Sequence, residues 1–176
     1  GSLPENSVAE FLEHGIRWTA DLIKGQKTGF FLDQRENRQT IRHMAHGCRV
    51  LNLFSYTGGF SVTAGLGGAS HVTSVDLARP AIEAAGQHWA LNQLDPALHT
   101  GAAEDVFRFL ELALSRGETW DIVICDPPSF APSESAVPQA TAAYRKLIAA
   151  SAKVTQRGGM LAAASCSSHI PESLFT

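Results

Sequence analysis

Cysteine is scarce in this chain: three residues in 176, Cys48, Cys125 and Cys166, an odd number with no CxxC spacing. That pattern excludes a disulfide framework and points to reduced thiols in a cytoplasmic protein. Long apolar runs are missing too, so no segment is fit to span a bilayer and none has the form of a secretory leader. Metal-ligand clusters are poorly represented, since His43, His46 and Cys48 have no fourth ligand nearby and read as ordinary surface or core residues. Internal repeats and low-complexity tracts are absent. The net charge of −3 is too small to mark a nucleic-acid binder by itself. Its distribution is uneven, however: Lys24, Lys27, Arg35, Arg38, Arg42 and Arg49 face only Asp33 and Glu36 between positions 24 and 49. A local excess of this kind can steer a polyanion, although a solvated helix face is the commoner origin of such clusters.

What is present is a length suited to one domain, able to bury roughly 70% of its unfolded surface, and one organising stretch. From Val50 up to Tyr56 the residues suit a buried strand, a polar turn carries Gly58 and Gly59, and after Phe60 the run Ser61, Val62, Thr63, Ala64 and Leu66 suits a helix. A glycine turn between strand and helix lets backbone N–H groups approach a nucleotide closely. Two glycines stand where a dinucleotide fingerprint has three, so this stretch alone is a weak signal. Asp76 lies 18 residues beyond Gly58, near the spacing at which an acid meets ribose hydroxyls.

The remaining chain supports an α/β reading. Ile16, Trp18, Ala20 and Leu22 alternate with polar residues after a His14-Gly15 turn, which predicts a β-hairpin from Val8 to Leu22 with one buried face. Asp33 and Glu36 approximate a capping box, predicting a helix from about Gln34 to Ala45 with Arg35, Arg38 and Arg42 on one face. Strands are predicted at His71–Val75, Trp120–Cys125 and Met160–Ala164, with helices opened by Pro80, by Glu104-Asp105 and, from Gln139 to Gln156, after a proline-rich loop. Four parallel strands alternating with helices define a Rossmann-like sheet with helices on both faces, preceded by the hairpin. A single domain is expected, with residues 3–33 as hairpin extension and 34–176 as a core whose last strands are missing.

Four segments in order carry a resemblance: Gly25-Gln26-Lys27-Thr28-Gly29-Phe30-Phe31-Leu32-Asp33-Gln34-Arg35, Leu51 to Phe60, Asp126-Pro127-Pro128-Ser129-Phe130, and Ser165-Cys166-Ser167. Through them the sequence resembles the class I S-adenosylmethionine-dependent methyltransferase domain of the large-subunit ribosomal RNA methyltransferase I type, which forms 5-methylcytosine in 23S rRNA. The resemblance implies S-adenosyl-L-methionine as cofactor, held by Phe54, Ser55, Tyr56, Thr57, Gly58 and Gly59, by Asp76 and Leu77 at the ribose, and by Glu104 or Asp105 at the adenine. It places Asp126 beside the reactive methyl group and Lys27 and Arg35 near anionic groups. The partner implied is RNA, 23S rRNA first; neither a membrane nor a metal is expected, and a homodimer is left open.

The residues themselves agree with that chemistry. Cytosine C5 is a poor nucleophile until a thiolate adds to C6, which requires an accessible cysteine; Cys166, flanked by serines after a strand, is the candidate. Asp126 can hydrogen-bond the base at N3 or N4. Cys48 and Cys125 read as core thiols. Two alternatives remain: methylation of a guanine ring nitrogen, which needs no thiol, and a silent cofactor-binding fragment or a nicotinamide-dependent oxidoreductase, the latter disfavoured by the short glycine turn.

Overall fold

In a computed structural model, residues 8–23, 29–130 and 137–164 are described. The chain opens with an antiparallel hairpin of β1 (Val8–Glu13) and β2 (Ile16–Asp21). Its inner face carries Ile16, Trp18 and Ala20, all buried, so the period-two alternation of the sequence reports a real face. Then come α1 (Arg35–Met44), β3 (Arg49–Leu53), α2 (Gly59–Leu66), β4 (His71–Asp76), α3 (Arg79–Leu91), β5 (His99–Ala103), α4 (Val106–Ser115), β6 (Trp120–Cys125), α5 (Val137–Val154) and β7 (Thr155–Ala163).

The five later strands form one parallel sheet in the order β5-β4-β3-β6-β7. Both of its faces are covered. Val50, Val72, Ile122 and Ile124 pack with Ile41 of α1 and Ala45 just after it, Val62 of α2, Trp89 of α3 and the hairpin. Their neighbours Leu51, Leu53, Val75 and Val123 point the other way, onto Leu110 of α4 and Leu147 of α5. This is why the central strands read as continuous apolar runs.

A polar chain crosses the interior. Asn52 Nδ2 donates to Ser61 Oγ at 2.9 Å, Ser61 Oγ lies 2.7 Å from Ser74 Oγ, and Ser74 Oγ lies 2.8 Å from His99 Nε2. Each of these four side chains therefore has a partner, and together they tie β3, α2, β4 and β5 in one register.

Four sequence expectations need correction. The strand β5 was not foreseen, making five parallel strands instead of four; His-Thr-Gly-Ala-Ala has almost no apolar signal, because it pairs only with β4 and none of its residues is fully buried. A side chain at Gly101 would meet Ile82 Cγ2 at 2.6 Å, so the weak composition is itself the price of close packing under α3. The capping box at Asp33 and Glu36 does not form: Leu32–Gln34 is a 3₁₀ turn, and Gln34, with no side-chain cap, precedes α1. The last helix spans Val137–Val154 and the last strand starts at Thr155, with Gly158-Gly159 inside it as a bulge between the pairs Trp120↔Thr155 and Ile122↔Met160. Finally, Arg38 does not share a solvated basic face with Arg35 and Arg42, because it is buried against Glu13.

Candidate functional site

Strand register decides where the site falls. Leu53 pairs with Val75 on one side and Cys125 on the other, so Phe54, Asp76 and Asp126 leave the sheet at one level. The chain winds outward from β3 through β4 to β5, then crosses back to place β6 on the other flank of β3. That reversal opens a crevice at the strand C-termini, the usual ligand position in open α/β sheets.

A cavity of about 610 Å³ occupies this crevice. Phe54, Ser55, Tyr56, Thr57 and Gly59 form its floor, Asp76 and Leu77 one side, Asp105 and Val106 the end, and Asp126 with Pro127 and Pro128 the other side. Phe30, Phe31 and Arg38 close it from the hairpin side. A smaller space of about 200 Å³ adjoins it between α1 and β7, and Gln34, Phe60 and Asp126 line both.

The loop after β3 is held in a conformation that L-residues rarely adopt. Phe54 and Tyr56 have φ of 57° and 48°, each in the left-handed region. Such backbone costs on the order of 1–3 kcal/mol per residue and persists only where its surroundings impose it. Asp76 supplies one constraint: its Oδ2 accepts from Tyr56 N–H and its Oδ1 from Ala78 N–H, both at 2.9 Å. Each carboxylate oxygen keeps a second lone pair, so the group that shapes the loop can also receive two hydroxyls. Gly58, at φ 80°, starts α2, and a side chain there would meet Ala85 Cβ at 2.7 Å. Its hydrogen faces α3, so this glycine permits the turn and is not a lining residue.

Asp105 caps α4, accepting from Arg108 N–H at 3.0 Å through Oδ1. Glu104 does not line the cavity; its carboxylate accepts from Asp105 N–H and pairs with Arg108 at 3.7 Å. Arg35 also lies away from the cavity, with Nε donating to His14 Nε2 at 2.8 Å. Lys27 and Cys166 fall outside the described residues. Cys125, the last residue of β6, is buried, and burial pushes its thiol up to about 12, the Ser151 side chain offsetting part of the rise and the neighbouring charge of Asp126 adding to it. It is a thiol at neutral pH and no nucleophile. Burial also raises the thiol of Cys48, and Asp121 adds to it. Among the described residues no cluster of metal-ligating side chains occurs.

The role of Arg38 in lining the cavity escaped the sequence reading, which counted it as surface charge; Glu13, its partner 25 residues earlier, lines neither space and carried no signal at all. Phe31 was left open between core and ligand contact; it is half-buried and packs edge-on against Tyr56, with ring centroids 5.5 Å apart.

The cavity suits a nucleoside-bearing ligand. Its volume lies in the range of small-molecule sites, and carboxylates stand at the ends of β4, β5 and β6. Ser55, only 6% exposed, directs a hydroxyl that has no partner among the described residues. A buried unpaired hydroxyl on a cavity wall is an acceptor and donor held ready for a ligand. Fold and site together define a Rossmann-like domain whose crevice at the β3/β6 switch point has the size and polar groups to take a nucleoside.

The comparisons make this specific. A family model for S-adenosylmethionine-dependent methyltransferases matches residues 4–175, and the chain belongs to that family. It is 45% identical to a ribosomal RNA large subunit methyltransferase of Deinococcus radiodurans, over 99% of this chain and 43% of that protein. It is 39% identical to ribosomal RNA large subunit methyltransferase I of Serratia proteamaculans, over 99% of this chain and 44% of that protein. The chain thus spans less than half the length of these relatives. Among solved structures, SMU.776, a methyltransferase complexed with SAH, superposes with a TM-score of 0.88 at 36% identity, covering 99% of this chain and 46% of that one. S-adenosylmethionine is accordingly the cofactor of this family, and the residues at the crevice fit it.

Proposed function

We propose that the chain is the catalytic domain of a ribosomal RNA methyltransferase that modifies cytosine at C5, with Cys166 as nucleophile. The observation that carries this reading is the position of Asp126 on the wall common to both cavities. One space suits the cofactor, and the adjoining one offers the amides Gln34 and Asn37 and an apolar flank of Ile41 and Met160. A carboxylate between them is placed to touch a base presented to the cofactor. Relatives 45% and 39% identical to the chain are named as ribosomal RNA large subunit methyltransferases, which supports RNA as the substrate class.

When bound, S-adenosylmethionine supplies an electrophilic methyl group. The protein's residues then divide the remaining work. Asp76 and Asp105 orient the nucleoside part, Asp76 through the ribose hydroxyls and Asp105 through the oxygen left free by the helix cap. The Cys166 thiolate adds to C6 of the cytosine, which moves electron density to C5. Asp126 hydrogen-bonds the base edge at N3 or N4 while the ring carries that density. After methylation the C5 proton leaves to a base and the C6–sulfur bond breaks, restoring the aromatic ring. Cys125, held as a buried thiol, is not available for this step, and the proposal assigns it to Cys166 on the Ser-Cys-Ser segment.

The test is Cys166→Ala in the full-length protein. Retained SAH binding with loss of 5-methylcytosine in 23S rRNA is the expected result. A Cys166→Ala enzyme that still transfers methyl groups would replace this reading with transfer to a ring nitrogen, which needs no thiol.

A further inference from the structure

Glu13 and Arg38 form a charged pair inside the molecule, 6% and 2% exposed. Arg38 Nε donates to Glu13 Oε1 at 2.8 Å and Nη2 to Oε2 at 2.6 Å, a two-pronged contact between α1 and the end of β1. Its third nitrogen, Nη1, donates to the Phe31 carbonyl at 2.9 Å, and its guanidinium lies 4.4 Å over the Phe30 ring. Phe30 in turn packs on Phe11 and Trp18 of the hairpin, with centroids 5.1 and 4.9 Å away. The same arginine lines the large cavity, and its Cδ sits 3.4 Å from where a side chain on Gly59 would begin.

A buried ion pair is a poor means of stabilising a fold, because apolar residues of equal volume do as well or better. What an apolar pair cannot do is hold a carboxylate on the hairpin and a backbone carbonyl beside the cavity with one rigid, planar group. Arg38 does both. The Phe31 segment it fixes touches Tyr56, whose own N–H is held by Asp76.

A second tie runs in parallel. His88 is buried, with Nδ1 2.8 Å from the Thr57 carbonyl and Nε2 3.2 Å from Thr19 N–H in β2. The Thr57 carbonyl can only accept, so Nδ1–H donates to it, while Nε2 also meets the Thr19 hydroxyl at 2.9 Å and the Thr19 carbonyl at 3.0 Å. The hairpin is thereby joined to the cofactor loop at Phe31 through Arg38 and at Thr57 through His88.

We propose that the hairpin is a clamp on the cofactor site and that Arg38, locked by Glu13, is a positioning residue for cofactor affinity. The proposal rests on reading the large cavity as the S-adenosylmethionine site. With the clamp intact, Phe31 and Tyr56 meet the cofactor already in place; without it, binding must first order the Phe31 segment, and affinity falls by that ordering cost.

The test is isothermal titration of SAH into the whole chain as wild type, Arg38→Met, Arg38→Lys, Glu13→Gln and, as control, His99→Ala. His99 lies in the interior polar chain and does not line the cavity, so its loss lowers the melting temperature by a route independent of the clamp. Each titration is made below the variant's melting transition, with circular dichroism confirming that the protein is folded. Arg38→Met is expected to weaken SAH by about tenfold or more, Arg38→Lys and Glu13→Gln by less, and His99→Ala by no more than about twofold. Folded Arg38→Met that binds SAH within about twofold of wild type overturns the proposal. If Arg38→Met does not fold, Glu13→Gln decides on the same criterion, since it removes the lock and leaves the arginine. A wild-type chain that binds no SAH would instead overturn the cofactor reading.

Discussion

Asp76→Ala tests two roles of one side chain at once. In the folded protein its carboxylate accepts from Tyr56 and Ala78 N–H, both at 2.9 Å. Hydrogen bonds to a charged acceptor contribute about 1.5–3 kcal/mol each when removed, and Asp76 is half-buried, so the lower part of that range applies. The loss comes to about 2–4 kcal/mol, part of it returned as Tyr56 relaxes from its left-handed backbone. For a domain of this size that lowers the melting temperature by about 5–12 °C. Asp76→Asn keeps one accepting oxygen and is expected to cost about half as much. Binding should suffer more than stability. Losing two ribose hydroxyl contacts at about 1.5 kcal/mol each weakens SAH by about 100-fold. Urea unfolding reads the first effect and calorimetry of the folded variant the second. If Asp76→Ala loses stability yet binds SAH within about threefold of wild type, the carboxylate is a loop clamp only and its placement at the ribose is wrong.

Other expectations are independent of that one. Asp105→Ala removes the α4 cap, costing about 1 kcal/mol, and also weakens SAH, whereas Glu104→Ala leaves SAH binding unchanged because that side chain pairs with Arg108 outside the cavity; paired calorimetric titrations separate them. Burial, reinforced by the charge of nearby His71, pushes His99 down to about 4 from an ordinary value near 6.5. The unfolded chain then binds the proton first. Stability is full above pH 6.5, falls as the pH drops from there toward 4, and levels below it, by about 1–2 kcal/mol after allowance for solvent screening. His99→Gln should flatten that limb in urea titrations across pH. Trp18→Ala empties the junction of hairpin and core and should cost about 3–5 kcal/mol in chemical unfolding. Cys125→Ala, by contrast, should leave methyl transfer intact, since that thiol is buried and protonated.

Much of the architecture could be read from the sequence because burial on both faces writes itself into composition. Trp120 to Cys125 and Val50 to Leu53 are central strands and look like them. The placement of the residues at their ends was legible as well: the register that aligns Leu53, Val75 and Cys125 brings the next residues, Phe54, Asp76 and Asp126, to one crevice. His99–Ala103 was invisible for the opposite reason: an edge strand under a tightly packed helix needs small residues, and small residues resemble a loop. Arg38 was misread because periodicity tells which residues share a helix face and not what lies against it. Its partner is set by how the hairpin folds back onto α1, a long-range contact with no local spacing rule. The choice between Glu104 and Asp105 likewise depended on which of them begins the helix.

The central claim is that S-adenosylmethionine lies over the ends of β3, β4 and β6. A titration of isotope-labelled protein with SAH, followed through backbone amide resonances, tests it directly. Shifts concentrated at Phe54–Phe60, Asp76–Ala78 and Asp105–Val106, with Leu112–Ser115 at the far end of α4 unmoved, are the result expected. Saturable shifts that avoid those three segments, or none at all, would contradict it.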